Sequence, residues 1–169
     1  MRHATGRLLF LLIVVGMVPV PTAEENSPTA YDRAVARAIA ALPRRPIHVA
    51  VIDANEAGPE VHGTLLKLDA FTLRLDAVTM DRSQVVYLVK QSTVLQEAAK
   101  GSPLYEHVLA SIIWHEMAHL DGADERGARR AEEQLWTRFV RDGLSDQITA
   151  LRYLNALTKR PDDRLMASR

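Results

Sequence analysis

The sequence predicts an α+β fold: an N-terminal helix and a small, antiparallel-containing sheet packed on a long helix, followed by two further helices. Three observations carry this reading. Between Ile47 and Lys90 the apolar residues come in short β-branched runs, and one run alternates with polar residues at the period of a half-buried strand. From Pro103 to Lys159 the apolar spacing changes to three and four, with proline, glycine and short polar residues where helices start and stop. The chain of 169 residues suits one domain with a modest core.

Taken in order, Met1–Arg7 carries Arg2 and Arg7, Leu8–Val20 is almost unbroken apolar sequence, and Pro21-Thr22-Ala23 precedes two glutamates. A basic start, a short apolar run and small residues make a signal peptide, residues 1–23, with cleavage expected after Ala23. The apolar run is short of the ~20 residues that span a bilayer, so no stable anchor is expected after cleavage. The mature protein is then secreted or periplasmic, with one domain over residues 24–160 and a flexible tail over 161–169.

Tyr31–Leu42 reads as a helix with Ser27 or Thr29 as its cap, stopped by Pro43 and Pro46. Ile47–Ala54 reads as a strand, Glu56–Glu60 as a turn, and Val61–Leu68 and Phe71–Val78 as further strands. Gln84–Lys90 is a fourth strand candidate and Thr93–Ala99 a short helix. Ser102 and Pro103 open a helix whose stripe runs Leu104, Val108, Ile112, His115, His119, and Gly122 ends it. Asp124–Arg141 follows, with Ala128, Leu135, Trp136, Phe139 and Val140 on its apolar side, then Gln147–Lys159 with Ile148, Leu151, Leu154 and Leu157 inward.

Composition excludes several functions. Lysine plus arginine balances aspartate plus glutamate at 21 each, so no charge bias points to nucleic acid, and aromatics at 5% are too sparse for a base-stacking surface. No cysteine is present, which removes disulfides, thiolate ligands and thiol catalysis.

The chemistry gathers in Trp114–Arg130. His115-Glu116-Met117-Ala118-His119 places two imidazoles four residues apart, one above the other on a helix face, where both can reach one ion. Zn²⁺ suits this set, although Mn²⁺ or Co²⁺ can occupy similar ligands. The carboxylates that can complete it are Asp121, Asp124, Glu125, Glu132 and Glu133.

The stretch from Ser102 to Phe139 resembles the zincin metallopeptidases, the H-E-x-x-H zinc proteases. Against the metzincin pattern, His115, Glu116, His119 and Gly122 match, and the last position is Glu125. In the gluzincins the third ligand is a glutamate on the next helix, within E-x-x-A-D or E-x-x-A-N in some members. Here Glu125-Arg126-Gly127-Ala128-Arg129 keeps the glutamate and the alanine and ends on arginine. The resemblance implies one Zn²⁺ per chain held by His115, His119 and Glu125. It implies Glu116 as general base to a metal-activated water, and a peptide or protein as substrate. The turn geometry agrees: Gly122 reverses the chain, Asp124 caps the next helix, and Glu125 falls in its first turn. Glu132, seven residues on, shares that face and is the next candidate.

The remaining candidates have ordinary roles to hand. His48 and His62 read as edge or surface residues, and His107 lies two turns from His115. Asp121 reads as solvated, and Glu133 as an exposed partner for Arg129 or Arg130. Tyr87, Tyr105 and Tyr153 can each offer a phenol to an oxyanion, with packing the commoner role. The expected function is an exported zinc metallopeptidase; the alternative is an exported, non-catalytic zinc-binding or scaffolding protein. The oligomeric state is left open.

Overall fold

The computed structural model describes residues 27–46, 48–72 and 85–158. The segments expected to be a signal peptide and a tail, and most of the Phe71–Val78 run, lie outside the described residues. The elements are α1 (Ala30–Ala40), β1 (His48–Ile52), a 3-10 turn (Ala54–Glu56), α2 (Pro59–Leu65), β2 (Ala70–Thr72), β3 (Val85–Val89), α3 (Thr93–Ala99), α4 (Pro103–Leu120), α5 (Glu125–Arg141) and α6 (Gln147–Thr158). The class is α+β, as expected.

Helix α4 forms the centre. It is apolar all round its middle, with Val108, Leu109, Ala110, Ile112, Ile113 and Met117 buried, and a helix of that kind has to be covered on every side. Helices α1, α3 and α5 and strands β2 and β3 do so. Leu104 was expected in this stripe but is 43% exposed, because it sits in the first turn before the helix enters the core. Helix α1 starts with a reciprocal cap: Thr29 Oγ1 accepts from the Asp32 amide at 3.1 Å, and Asp32 accepts from the Thr29 amide at 2.8 Å. Arg37 then ties α1 to α4 and α3, donating to Glu106 at 2.6 Å and to the Ala98 carbonyl at 3.2 Å.

The sheet order is β1-β3-β2, with β1 parallel and β2 antiparallel to β3. Gln84–Lys90 was expected, as the last strand before the histidine-bearing helix, to be the exposed edge along which a substrate peptide lies; β3 is instead central, paired on both sides. Its Val86, Leu88 and Val89 are fully covered, so the strand is enclosed over its faces as well as along its edges. Lys90 lies just past the strand and pairs with Asp53 at 2.9 Å. Phe71 stands opposite Tyr87 in the register, and their rings stack at 5.2 Å.

Two expectations are overturned here. Val61–Leu68 is not a strand; most of it belongs to α2. Pro59 in the first turn and Glu60 beside it are helix-start signals, and they outweigh the β-branched Val61 and Thr64. In α6 the inward residues are Ala150, Tyr153 and Leu154, whereas Ile148 and Leu151 are 63% and 51% exposed. This rotation brings the Tyr153 hydroxyl to Glu132 of α5. A buried carboxylate without a partner costs more than two aliphatic side chains left in water.

Candidate metal centre

Helix α4 delivers the two histidines one turn apart near its C-terminus, with ring centroids 4.8 Å apart and nearly perpendicular. The helix then ends at once. Gly122 takes φ +94°, a conformation that side chains disfavour, and the Ala123 amide returns to the Ala118 carbonyl at 2.9 Å. Asp124 caps α5, accepting from the Gly127 amide at 2.7 Å. A Cβ on Gly127 would sit 3.0 Å from Ala123 Cβ and 3.2 Å from the capping oxygen, so the absent side chain lets the first turn of α5 close against the loop.

Glu125, the first residue of α5, is thereby turned back on the histidines. His115 Nε2 and His119 Nε2 are 3.1 Å apart, and Glu125 Oε2 lies 3.5 Å from the first and 3.4 Å from the second. Donors about 2.0–2.1 Å from a tetrahedral ion stand about 3.3 Å from one another. The three side chains form a group able to hold a metal ion, and their spacing fits zinc. Three protein donors leave one tetrahedral position open, the count associated with catalytic sites rather than closed structural ones.

Each donor is also held from behind. His119 Nδ1 meets the Ala123 carbonyl at 3.0 Å, so the turn that reverses the chain also orients the ring. His115 Nδ1 faces Glu132 Oε2 at 3.3 Å. Glu125 Oε1 accepts from Arg129 Nε at 2.7 Å. Imidazole nitrogens held in this way present Nε2 outward, the arrangement found at metal-ligating histidines.

The charges respond to this packing. Burial opposes a charge on His115, but the hydrogen bond and charge of Glu132, with Glu125 and Glu116 nearby, raise its pKa overall. Burial raises the carboxyl of Glu116 above the ordinary glutamate range, against the pull of both imidazoles and a hydrogen bond with Thr72. On Glu125 burial is outweighed by Arg129 and the histidines, and the pKa falls.

Thr72 reaches Glu116 for a reason set by the sheet. Opposite residues in a register project to one face; Thr72 pairs with Val86 and Ala70 with Leu88, and Val86 and Leu88 are in the core that includes α4. Strand β2 therefore lays its threonine over the α4 glutamate.

The other candidates stay out of the donor set. Asp121 pairs with Arg44 at the surface rather than standing solvated alone. Asp124 is the cap. Arg129, one of the two arginines expected to partner Glu133, donates to Glu125 at 2.7 Å; a carboxylate four residues N-terminal to the cation is the favoured orientation for such a pair on a helix. His48 is exposed, as expected; His62 is in α2 rather than a strand, its Nδ1 2.8 Å from the Ala54 carbonyl. His107 packs on Phe139 at 5.0 Å, and burial lowers its pKa. Tyr87 stacks on Phe71, Tyr105 packs on the core, and Tyr153 bonds to Glu132.

Thr72 is the neighbour that sequence reasoning missed, whereas the sequence offers Tyr153 as a phenol for an oxyanion and Arg129 as a partner for Glu133, and their partners here are Glu132 and Glu125. Arg129 had a signal in its four-residue spacing from Glu125. Thr72 and Tyr153 had none, since each meets the site only through tertiary packing. Comparisons with protein-family models, curated proteins and solved structures give no match to this chain.

Proposed function

We propose that the chain is an exported zinc-dependent metallopeptidase. The observation that carries the reading is the meeting of His115 Nε2, His119 Nε2 and Glu125 Oε2 at 3.1–3.5 Å from one another, with the carboxylate of Glu116 close enough to feel both imidazoles. His115, His119 and Glu125 hold the ion. When bound, Zn²⁺ supplies a Lewis acid that polarises a carbonyl and acidifies water to near neutrality. Glu116 contributes proton transfer at its carboxylate oxygens, taking a proton from the attacking water and returning it to the leaving amine. Its burial favours that role by lifting its basicity above that of an ordinary glutamate. Strand β2 lies against α4 and pairs on one side only among the described residues. An extended peptide can add along its other side, which brings a substrate backbone beside Glu116.

The test is Glu116→Gln, assayed for zinc content and peptide cleavage on one sample. The amide is nearly isosteric and a poor base. Zinc should remain at one per chain, and cleavage should fall at least ~10²-fold, the lower end of general-base assistance. A wild type that binds zinc and cleaves nothing across a broad peptide library is a zinc-binding protein, not a peptidase.

A further inference from the structure

Glu132 is an anomaly on α5. It is a carboxylate in the buried stripe of Ala128, Leu135, Trp136 and Phe139, and it is only 3% exposed. Its two oxygens have separate duties. Oε2 faces His115 Nδ1 at 3.3 Å, and Oε1 accepts the phenol proton of Tyr153 at 2.7 Å. The two nitrogens of one imidazole point in diverging directions, so a carboxylate at Nδ1 cannot share an ion with Nε2. Glu132 is therefore not an alternative third ligand. Tyr153 is itself confined: its ring lies 4.7 Å from that of Trp136, and its hydroxyl is 3.2 Å from Ser111 Oγ of α4.

We infer that Glu132 and Tyr153 are positioning residues for His115, a relay through which α6 sets the direction and tautomer of a histidine on α4. The inference rests on the metal reading of the site. The phenol proton occupies one oxygen of Glu132 and leaves the other as a fixed acceptor for Nδ1–H, which commits Nε2 to the donor set. Glu132 thereby supplies the acceptor for His115 that the arginine at position 129 cannot, since a guanidinium only donates and Arg129 is bound to Glu125, and Tyr153 steadies that acceptor from α6. It also explains why α6 shows Tyr153 inward at the expense of Ile148 and Leu151.

The experiment measures Zn²⁺ and Co²⁺ affinity by competition with a chromophoric chelator for wild type, Glu132→Gln, Tyr153→Phe, the double variant, and Leu154→Ala as a packing control on α6. Glu132→Gln should bind ~10–100-fold more weakly, the usual cost of losing such a partner. Tyr153→Phe should lose less, in the same direction, and the double variant should be no weaker than Glu132→Gln alone, because both act through one chain of contacts. Leu154→Ala should melt earlier and bind as wild type does. In the zinc-loaded wild type the His115 Nδ1 proton should resist exchange in NMR spectra, and Glu132→Gln should abolish that protection. Wild-type affinity and an unchanged Nδ1 proton in Glu132→Gln and Tyr153→Phe would overturn the relay while leaving the zinc centre standing. An equal loss in Leu154→Ala would overturn it as general loosening. A wild type that binds neither ion removes the metal reading and the relay with it.

Discussion

His115, His119 and Glu125 each engage a second atom away from the shared point: Glu132, the Ala123 carbonyl and Arg129 respectively. A side chain so held has little rotamer freedom left to lose on binding an ion, which favours binding. His115→Ala and His119→Ala should therefore each abolish stoichiometric zinc, read by metal analysis after dialysis. Glu125→Ala should weaken zinc far more than Asp121→Ala, because the Asp121 carboxylate is committed to Arg44 at the surface. Zinc held at one per chain in both histidine variants would remove the site. At this scale the sequence was most informative. Two histidines at helical spacing and a glutamate after a glycine turn are local facts, and local facts survive folding unchanged. The partners that steady them were less legible. Thr72 lies 44 positions before Glu116 (116 minus 72) and Tyr153 lies 21 after Glu132, and no local pattern marks a contact at that distance.

At the scale of elements, the junction between α4 and α5 decides whether the donors meet. Asp124→Ala removes the cap of α5 and should cost about 1 kcal/mol of stability, read from urea unfolding, with zinc stoichiometry retained. A variant that loses zinc at unchanged stability would make Asp124 a ligand rather than a cap. The other junction joins the ends of β1 and β3. Asp53 accepts from Lys90, from the Asn55 amide and from Gln91, and these hold its pKa down at about 2. A carboxyl depressed in the folded state contributes stability above its unfolded pKa of 3.8 and loses it as pH falls toward 2. Asp53→Asn should therefore lower the urea midpoint at pH 5 and flatten its decline between pH 4 and pH 2. An equal acid slope in wild type and variant would show that the pair adds nothing. Helix boundaries were the most readable elements, since caps and stops are short-range; α3 matches its expected range. Helix α2 was misread because seven residues with Val61, Gly63 and Thr64 carry too little periodicity to overrule β-branching.

For the whole molecule, a short sheet of order β1-β3-β2 and the helices α1, α3 and α6 surround α4 and α5, and no helix among the described residues is long and apolar enough to cross a membrane. The α+β class was legible because it needs only the change of period near residue 100. Strand order was not, because pairing partners depend on which edge each strand finds, and β3 gives no local sign of having two neighbours. The same limit applies to α6. Its aliphatic stripe pointed inward by pattern, but the buried Glu132 required a hydrogen-bonding partner and turned Tyr153 in.

The three donors lie within eleven consecutive positions, residues 115–125, and that nearness governs the order of assembly. Bringing Glu125 to His115 closes a loop of about ten residues; bringing Thr72 to Glu116 closes one of about 44. Chain entropy makes the second more costly by about 1.3 kcal/mol. The ion-holding hairpin should form early in refolding, and the contacts that aim Glu116 and His115 should follow. In stopped-flow refolding of Trp114→Phe with Zn²⁺ and a chromophoric indicator, zinc uptake should lead the slow signal of the remaining tryptophan, Trp136, which packs on Tyr153. Coincident signals would mean that the donors meet only when the whole fold closes around them.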